Sequence, residues 1–132
     1  MQLLDTHIWV WWLTQTKGKL SPAKLKKLDR VSEQGELAIS AISLWEVANL
    51  HSLGRINFSI PLREWLKKAS DARVVKVEPI SPEIAAEVAA LPDWLHRDPA
   101  NRLIIATART LGIPLATRDR KIIESGIVPT VS

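Results

Sequence analysis

Cysteine is missing from all 132 residues of this chain. That excludes disulfides and thiolate metal sites, and it fits a reducing compartment. Long apolar runs are missing too, so no segment is expected to span a bilayer. The chain opens on Gln2-Leu3-Leu4-Asp5 without a basic stretch, which predicts no signal peptide and a cytoplasmic location. Repeats, low-complexity segments and linkers are absent, so residues 1–132 read as a single domain. A large charge of one sign is also lacking. Lys and Arg number 18 against 14 Asp and Glu, a net charge of +4. That excess favours a polyanionic partner only weakly.

What is present alternates short apolar runs with helical patterns. Gln2-Leu3-Leu4 predicts a first strand with Asp5 at its C-terminal end, followed by a helix from Thr6 to about Leu13. Ser21-Pro22, a cap and a first-turn proline, opens a basic helix to about Gln34. Glu36 to Ile39 predicts a second strand. Ser43-Leu44-Trp45-Glu46 has the form of a capping box, with Glu46 reaching back to its own helix start. Pro61 opens a further helix, Val74 to Val77 predicts a strand, and Ser81-Pro82 opens another helix. A loop over residues 91–97 precedes the best-marked element. Asp98 caps it, Pro99 occupies its first position, and Gly112 ends it at the C′ position. Ile113 to Ala116 predicts a strand, Arg120 to Ser125 a short helix and Val128 to Val131 a last strand. The pattern is that of an α/β protein, a parallel β-sheet flanked by helices on both faces.

In such sheets, sites form beyond the C-terminal strand ends. Asp5 and Asp119 fall there, and Glu46 and Asp98 lie in helices that can cover the same edge. Carboxylates gathered in one cleft repel, and persist together if a cation neutralises them. An all-oxygen set suits Mg²⁺ or Mn²⁺, and such an ion beside a basic surface points to phosphodiester hydrolysis. Each acid also has a plain structural role open to it. Asp5, Asp98 and Asp119 could each cap a helix, and Glu46 could be only a capping-box partner.

Four segments carry a family resemblance: Leu3-Leu4-Asp5-Thr6-His7, then Ser40 to Ala48, then His96 to Ala108, then Leu115-Ala116-Thr117-Arg118-Asp119. In this order and spacing, over nearly the whole length, the chain resembles a PIN-domain ribonuclease of the VapC toxin type. The resemblance implies a PIN-like fold and a metal-dependent endoribonuclease acting on tRNA or ribosomal RNA. It also implies a cognate antitoxin and a homodimer. Carried over by position, Asp5, Glu46 and Asp119 form the acidic metal site, and Thr117 supports Asp119.

The family pattern Asp-Pro-x-Asp-Arg is broken at its second acid, because position 101 is Asn. An amide oxygen can bind a hard cation but brings no negative charge, and its NH₂ group needs an acceptor. The substitution could be engineered, a natural loss of activity, or offset by Asp98 swinging in to supply charge. Asp98 is expected first as the cap and second as a ligand. The departure predicts that this chain is impaired.

Arg97, Arg102, Arg118 and Arg120, with Lys121, bracket the site segments and are expected as a phosphate-binding rim. Lys17, Lys19, Lys24, Lys26 and Lys27 are accounted for by a solvated helix face. Helical spacing puts Trp9 and Trp12 on one buried face and turns Trp11 away, leaving room for a subunit or antitoxin contact. His7 is expected to be structural or to bond behind a metal ligand, and His96 is left open. Two other functions compete. One is a PIN domain that binds RNA or an antitoxin without cleaving, favoured by Asn101. The other is phosphotransfer through Asp5, which His7 disfavours because that chemistry has a second Asp at its position.

Overall fold

The computed structural model describes residues 1–95 and 97–131; His96 and Ser132 lie outside the described residues. The elements in order are β1 (Gln2–Leu4), α1 (Thr6–Thr14), α2 (Pro22–Glu33), β2 (Leu37–Ser40), α3 (Ala41–Ser52), α4 (Leu62–Ala69), β3 (Lys76–Glu78), α5 (Pro82–Ala90), α6 (Pro99–Leu111), β4 (Leu115–Ala116), α7 (Arg120–Ser125) and β5 (Thr130–Val131). The strands form one sheet in the order β3-β2-β1-β4-β5. Every pairing is parallel.

Alternation along the strands divides the apolar interior into two layers. Leu4, Leu37 and Ile39 pack on one side with Trp9 of α1, Leu28 of α2, Val47 of α3 and Trp65 of α4. Leu3, Ala38 and Leu115 pack on the other with Ile84 of α5, Ile104 and Ile105 of α6 and Ile122 of α7. Burial on both faces explains why these strands read as unbroken apolar runs. Trp9 is completely buried, its indole N–H donates to the Ala69 carbonyl at 3.0 Å, and its ring tilts against Trp65 at 5.1 Å.

The helix starts behave as their residues dictate. Ser21 and Ser81 accept from the backbone N–H groups of Lys24 and Ile84, each with a proline just inside the helix. Asp98 accepts from Ala100 N at 2.9 Å. Gly112, at φ 66°, closes α6 in the left-handed conformation that a side chain disfavours.

Four strand starts shift from expectation. β2 begins at Leu37 and runs through Ser40, β3 begins at Lys76 rather than Val74, β4 at Leu115 rather than Ile113 and β5 at Thr130 rather than Val128. The first shift overturns the expected capping box. Because β2 continues to Ser40, that residue becomes the cap of α3, its hydroxyl accepting from Ile42 N at 3.2 Å. Ser43 lies inside the helix instead, and Glu46 is released from any capping role. Among the described residues, no helix is long and apolar enough to cross a membrane.

Candidate active site

The order β3-β2-β1-β4-β5 makes β1 the point where the chain, having built outward to β2 and β3, crosses back to β4. A crevice forms at such a reversal, beyond the C-terminal ends of the two strands. Asp5 follows β1 directly, and Thr117 follows β4. Asp5 stands at the N-cap of α1, yet its side chain makes no capping bond. Its Oδ2 instead accepts a 2.8 Å hydrogen bond from Thr117 Oγ1, joining the two strand ends. The same threonine oxygen accepts from Asp119 N at 3.1 Å. Thr117 is expected to support Asp119 through its hydroxyl or a bound water. Its hydroxyl oxygen does hold the Asp119 backbone N–H, and it holds the Asp5 carboxylate as well.

Around this joint lies a cleft of about 310 Å³, lined by Asp5, His7, Ile8, Trp11, Glu46, Asp98, Asn101, Arg118 and Asp119. All five candidate metal-site residues therefore border one space. Asp98 and Asp119 do both jobs at once. Each is the side-chain cap of its helix, Asp119 accepting from Lys121 N at 2.9 Å, and each also faces the cleft.

Glu46 is buried, and its Oε1 has no hydrogen-bond partner among the described residues. Burial raises the Glu46 carboxyl above its ordinary value. A Thr6 hydrogen bond opposes that rise, while the nearby Asp5 and Asp98 charges add to it. Burial likewise raises the Asp5 carboxyl, against the lowering effect of the Thr117 bond. Two desolvated acids with an orphaned oxygen make a site that is electrostatically incomplete in the protein alone.

Among the described residues, no three His, Asp or Glu side chains are grouped closely enough to hold a metal ion by themselves. The donors bordering the cleft are nonetheless the right kind for a hard divalent cation: carboxylates of Asp5, Glu46, Asp98 and Asp119, and the amide oxygen of Asn101. The unpartnered Glu46 oxygen is what such an ion would satisfy.

Residues 3–126 match the family model described as PIN domain. The chain belongs to the PIN-domain family. It is 38% identical over 120 residues to Ribonuclease VapC22 of Mycobacterium tuberculosis (strain ATCC 25618 / H37Rv), covering 91% of this chain and 88% of that one. This PIN domain also shares its fold with a toxin–antitoxin complex from Klebsiella pneumoniae. There the TM-score is 0.68 at 22% identity, over 100% of this chain and 97% of the other. The fold recurs in VapBC2 from Rickettsia felis bound to a promoter DNA fragment, with a TM-score of 0.70 at 17% identity over 98% and 96% of the two chains.

Within this PIN domain the expected arginine rim divides. Arg118 lines the cleft. Arg97 and Arg120 are exposed, and Arg120 pairs with Glu124 at 3.4 Å. Arg102 does not join the rim. Its guanidinium donates to the carbonyls of Pro92, Val88 and Leu91 at 3.0–3.1 Å. One residue beyond Asn101 is about 100° further round the helix, so Arg102 turns from the cleft and ties α5 and the following loop to α6.

Two contributors went unnoticed in the sequence. Thr6 Oγ1 and Ser43 Oγ share a buried 2.8 Å hydrogen bond between α1 and α3. Thr6 also bonds Glu46, so this pair positions the acid. Their signal was faint, because each looked like an ordinary helix-start residue.

Proposed function

We propose that this chain is the ribonuclease toxin of a toxin–antitoxin pair, hydrolysing RNA phosphodiester bonds with a divalent metal ion, Mg²⁺ or Mn²⁺. One observation carries the reading: Asp5, Glu46, Asp98, Asn101 and Asp119 border a single cleft in which the Glu46 Oε1 is buried without a partner. The likeness to Ribonuclease VapC22 supports it. The RNA is of the tRNA or ribosomal class, the place of action is the cytoplasm, and the working form is a homodimer kept silent by a cognate antitoxin.

The residues divide the work. Asp5, Glu46 and Asp119 hold the cation, with Asn101 Oδ1 as a neutral donor and Asp98 beside it. When bound, the cation supplies a nucleophilic water at neutral pH and offsets charge developing on the phosphoryl oxygens. Thr117 fixes the Asp5 carboxylate through its 2.8 Å bond, and the Thr6–Ser43 pair fixes Glu46. Arg118, on the cleft wall, meets the substrate phosphate. Asn101 lowers the site's negative charge by one where the family pattern has an acid, which weakens cation binding and impairs this chain.

The test is a Mg²⁺ titration of RNA cleavage by this chain, by Asn101→Asp and by Asp98→Ala in the Asn101→Asp background. Asn101→Asp is expected to cleave faster and at lower Mg²⁺. Equal rates for the two chains would remove the impairment. Asp98→Ala is expected to lower stability through the lost cap while retaining cleavage, and abolished cleavage would make Asp98 a ligand. Asn101 also favours a second reading, a PIN domain that binds RNA or its antitoxin without cutting. RNA binding with no cleavage by any of the variants would establish that reading instead.

A further inference from the structure

The cleft that gathers the acids also carries His7, Ile8 and Trp11 on its lining. These positions lie three and four residues apart on α1, so one face of that helix turns an apolar and aromatic strip to the space. Trp9 and Trp12 of the same helix are buried in the core. Trp11 is half-buried, packing against the edge of the core while bordering the cleft. Its ring is held from several sides. The His7 ring lies 5.5 Å away at a tilt of 49°. The Lys19 ammonium lies 5.3 Å and the Arg118 guanidinium carbon 5.8 Å from the ring. Arg118 is itself anchored, a guanidinium N–H donating to the Lys19 carbonyl. An indole fixed in this way loses little freedom when a ligand meets it.

A tryptophan left bordering water and carboxylates keeps apolar area wet, which is unfavourable in the empty site. The cleavage described above does not use it, since the acids hold the cation and Arg118 meets the phosphate. A nucleotide has a third part. Its base is flat, with apolar faces, and unpaired RNA bases stack on aromatic rings and guanidinium planes. The cleft of about 310 Å³ is the size of a small-ligand site, which admits one splayed nucleoside and not a duplex.

We propose that Trp11 is the stacking platform for one unpaired RNA base, that of a nucleotide adjoining the scissile phosphate, with His7 flanking it. The inference rests on the nuclease reading above. Placement decides the class of ligand. A base is covalently tied to the phosphate that must reach the acids, and Trp11 lines the same space as Asp5, Glu46 and Asp119. Every base has a π-face, so stacking supplies affinity and register without reading a sequence. A protein segment laid on the ring would bring no phosphate to the acids.

The test compares this chain with Trp11→Leu and Trp11→Phe for binding of two probes across a salt series, with Ca²⁺ present to neutralise the acids. One probe is a labelled single-stranded RNA oligonucleotide, the other the same ribose–phosphate backbone without bases. Stacking of one base on an aromatic ring changes affinity on the order of tenfold or more. Trp11→Leu is therefore expected to bind RNA about tenfold more weakly and Trp11→Phe to retain most of the affinity, while all three bind the base-free backbone alike. The salt slope is expected to stay the same, because no phosphate contact is lost. In the Asn101→Asp background with Mg²⁺, Trp11→Leu is expected to raise KM for RNA cleavage. Should Leu weaken the fold, Trp11→Met fills the space with a flexible apolar chain and no ring. An equal loss on RNA and on the base-free backbone, or a flattened slope, would overturn the proposal, because Trp11 would then act only by holding Arg118. Equal RNA affinity for this chain and Trp11→Leu, with cleavage by Asn101→Asp intact, would overturn the platform and leave the nuclease standing. Lost antitoxin binding in that same case would make the ring a protein contact. Weaker RNA binding by Trp11→Leu, with no cleavage by any chain, would sink the nuclease reading and keep the base contact. RNA neither bound nor cleaved by any chain would overturn both.

Discussion

Glu46→Gln is expected to make the metal-free protein more stable at neutral pH. The carboxylate is buried, one of its oxygens has no partner, and Asp5 and Asp98 stand near it. A buried unsatisfied polar atom costs about 1–3 kcal/mol, more when charged. The cleft opens to water, so about 1–2 kcal/mol is the appropriate relief. At about 2.1 cal/mol/K per residue, a chain of this length melts about 4 °C higher for each kcal/mol, so the gain is about 4–7 °C. The amide NH₂ that replaces one oxygen can donate to the neighbouring acids, which adds to the gain. The dependence on pH gives the sharper check. Burial, the first cause, raises the folded-state value of Glu46 above that of the unfolded chain. Its contribution to stability is therefore fully present below the unfolded value and is lost as pH rises through the folded one. The difference between Gln variant and parent should be near zero around pH 4 and grow toward pH 7.5. Thermal melts followed by circular dichroism in EDTA, over this pH range, measure it. Added Mg²⁺ should narrow the gap by stabilising the parent more. A variant that melts below the parent at pH 7.5 in EDTA, or a gap independent of pH, would refute the argument that this acid is held against its own electrostatics.

Three other outcomes can be checked with the same methods. Thr117→Val removes the donor to Asp5, a hydrogen bond to a charged group worth about 1.5–3 kcal/mol; in the Asn101→Asp background cleavage should fall sharply, and Thr117→Ser should rescue it. Arg102→Lys loses the fork that reaches three carbonyls, so the melting temperature should drop by several degrees, about 1–2 kcal/mol at about 4 °C each, while the salt slope of RNA binding is unchanged. A changed slope would return Arg102 to the phosphate rim. Trp9→Ala empties a fully buried site and leaves the Ala69 carbonyl unpaired, which should cost about 3–5 kcal/mol in denaturant titrations.

Local chemistry made most of the fold legible. Ser21-Pro22, Ser81-Pro82 and Asp98-Pro99 name helix starts because a side-chain oxygen and a missing N–H act within three residues. Gly112 names a stop because φ 66° favours a residue without Cβ. The capping box at Ser43 misled because the same letters satisfy a local rule whether or not a helix begins there. The strand that set the start of α3 at Ala41 is determined by its pairing with β1 and β3, and that pairing is not local. Arg102 misled for a similar reason. Its neighbours in sequence are Asn101 and Leu103, but its hydrogen-bond partners lie between Val88 and Pro92.

Read as a string of residues, the chain already displays the alternation of strands and helices, the acids at their junctions and the Asn at position 101. Each of these depends on residue type and short spacing. It takes the folded packing to show that Asp5 and Glu46 abandon capping for the cleft while Asp98 and Asp119 keep both roles. The same packing shows that Thr117 reaches across 112 positions to Asp5 and that Trp11 lines the cleft with the acids. The physical reason is that burial and long-range hydrogen bonding are properties of neighbours in space. The crossover from β3 back to β4, which sets β4 beside β1 and which no short segment contains, is what makes them neighbours.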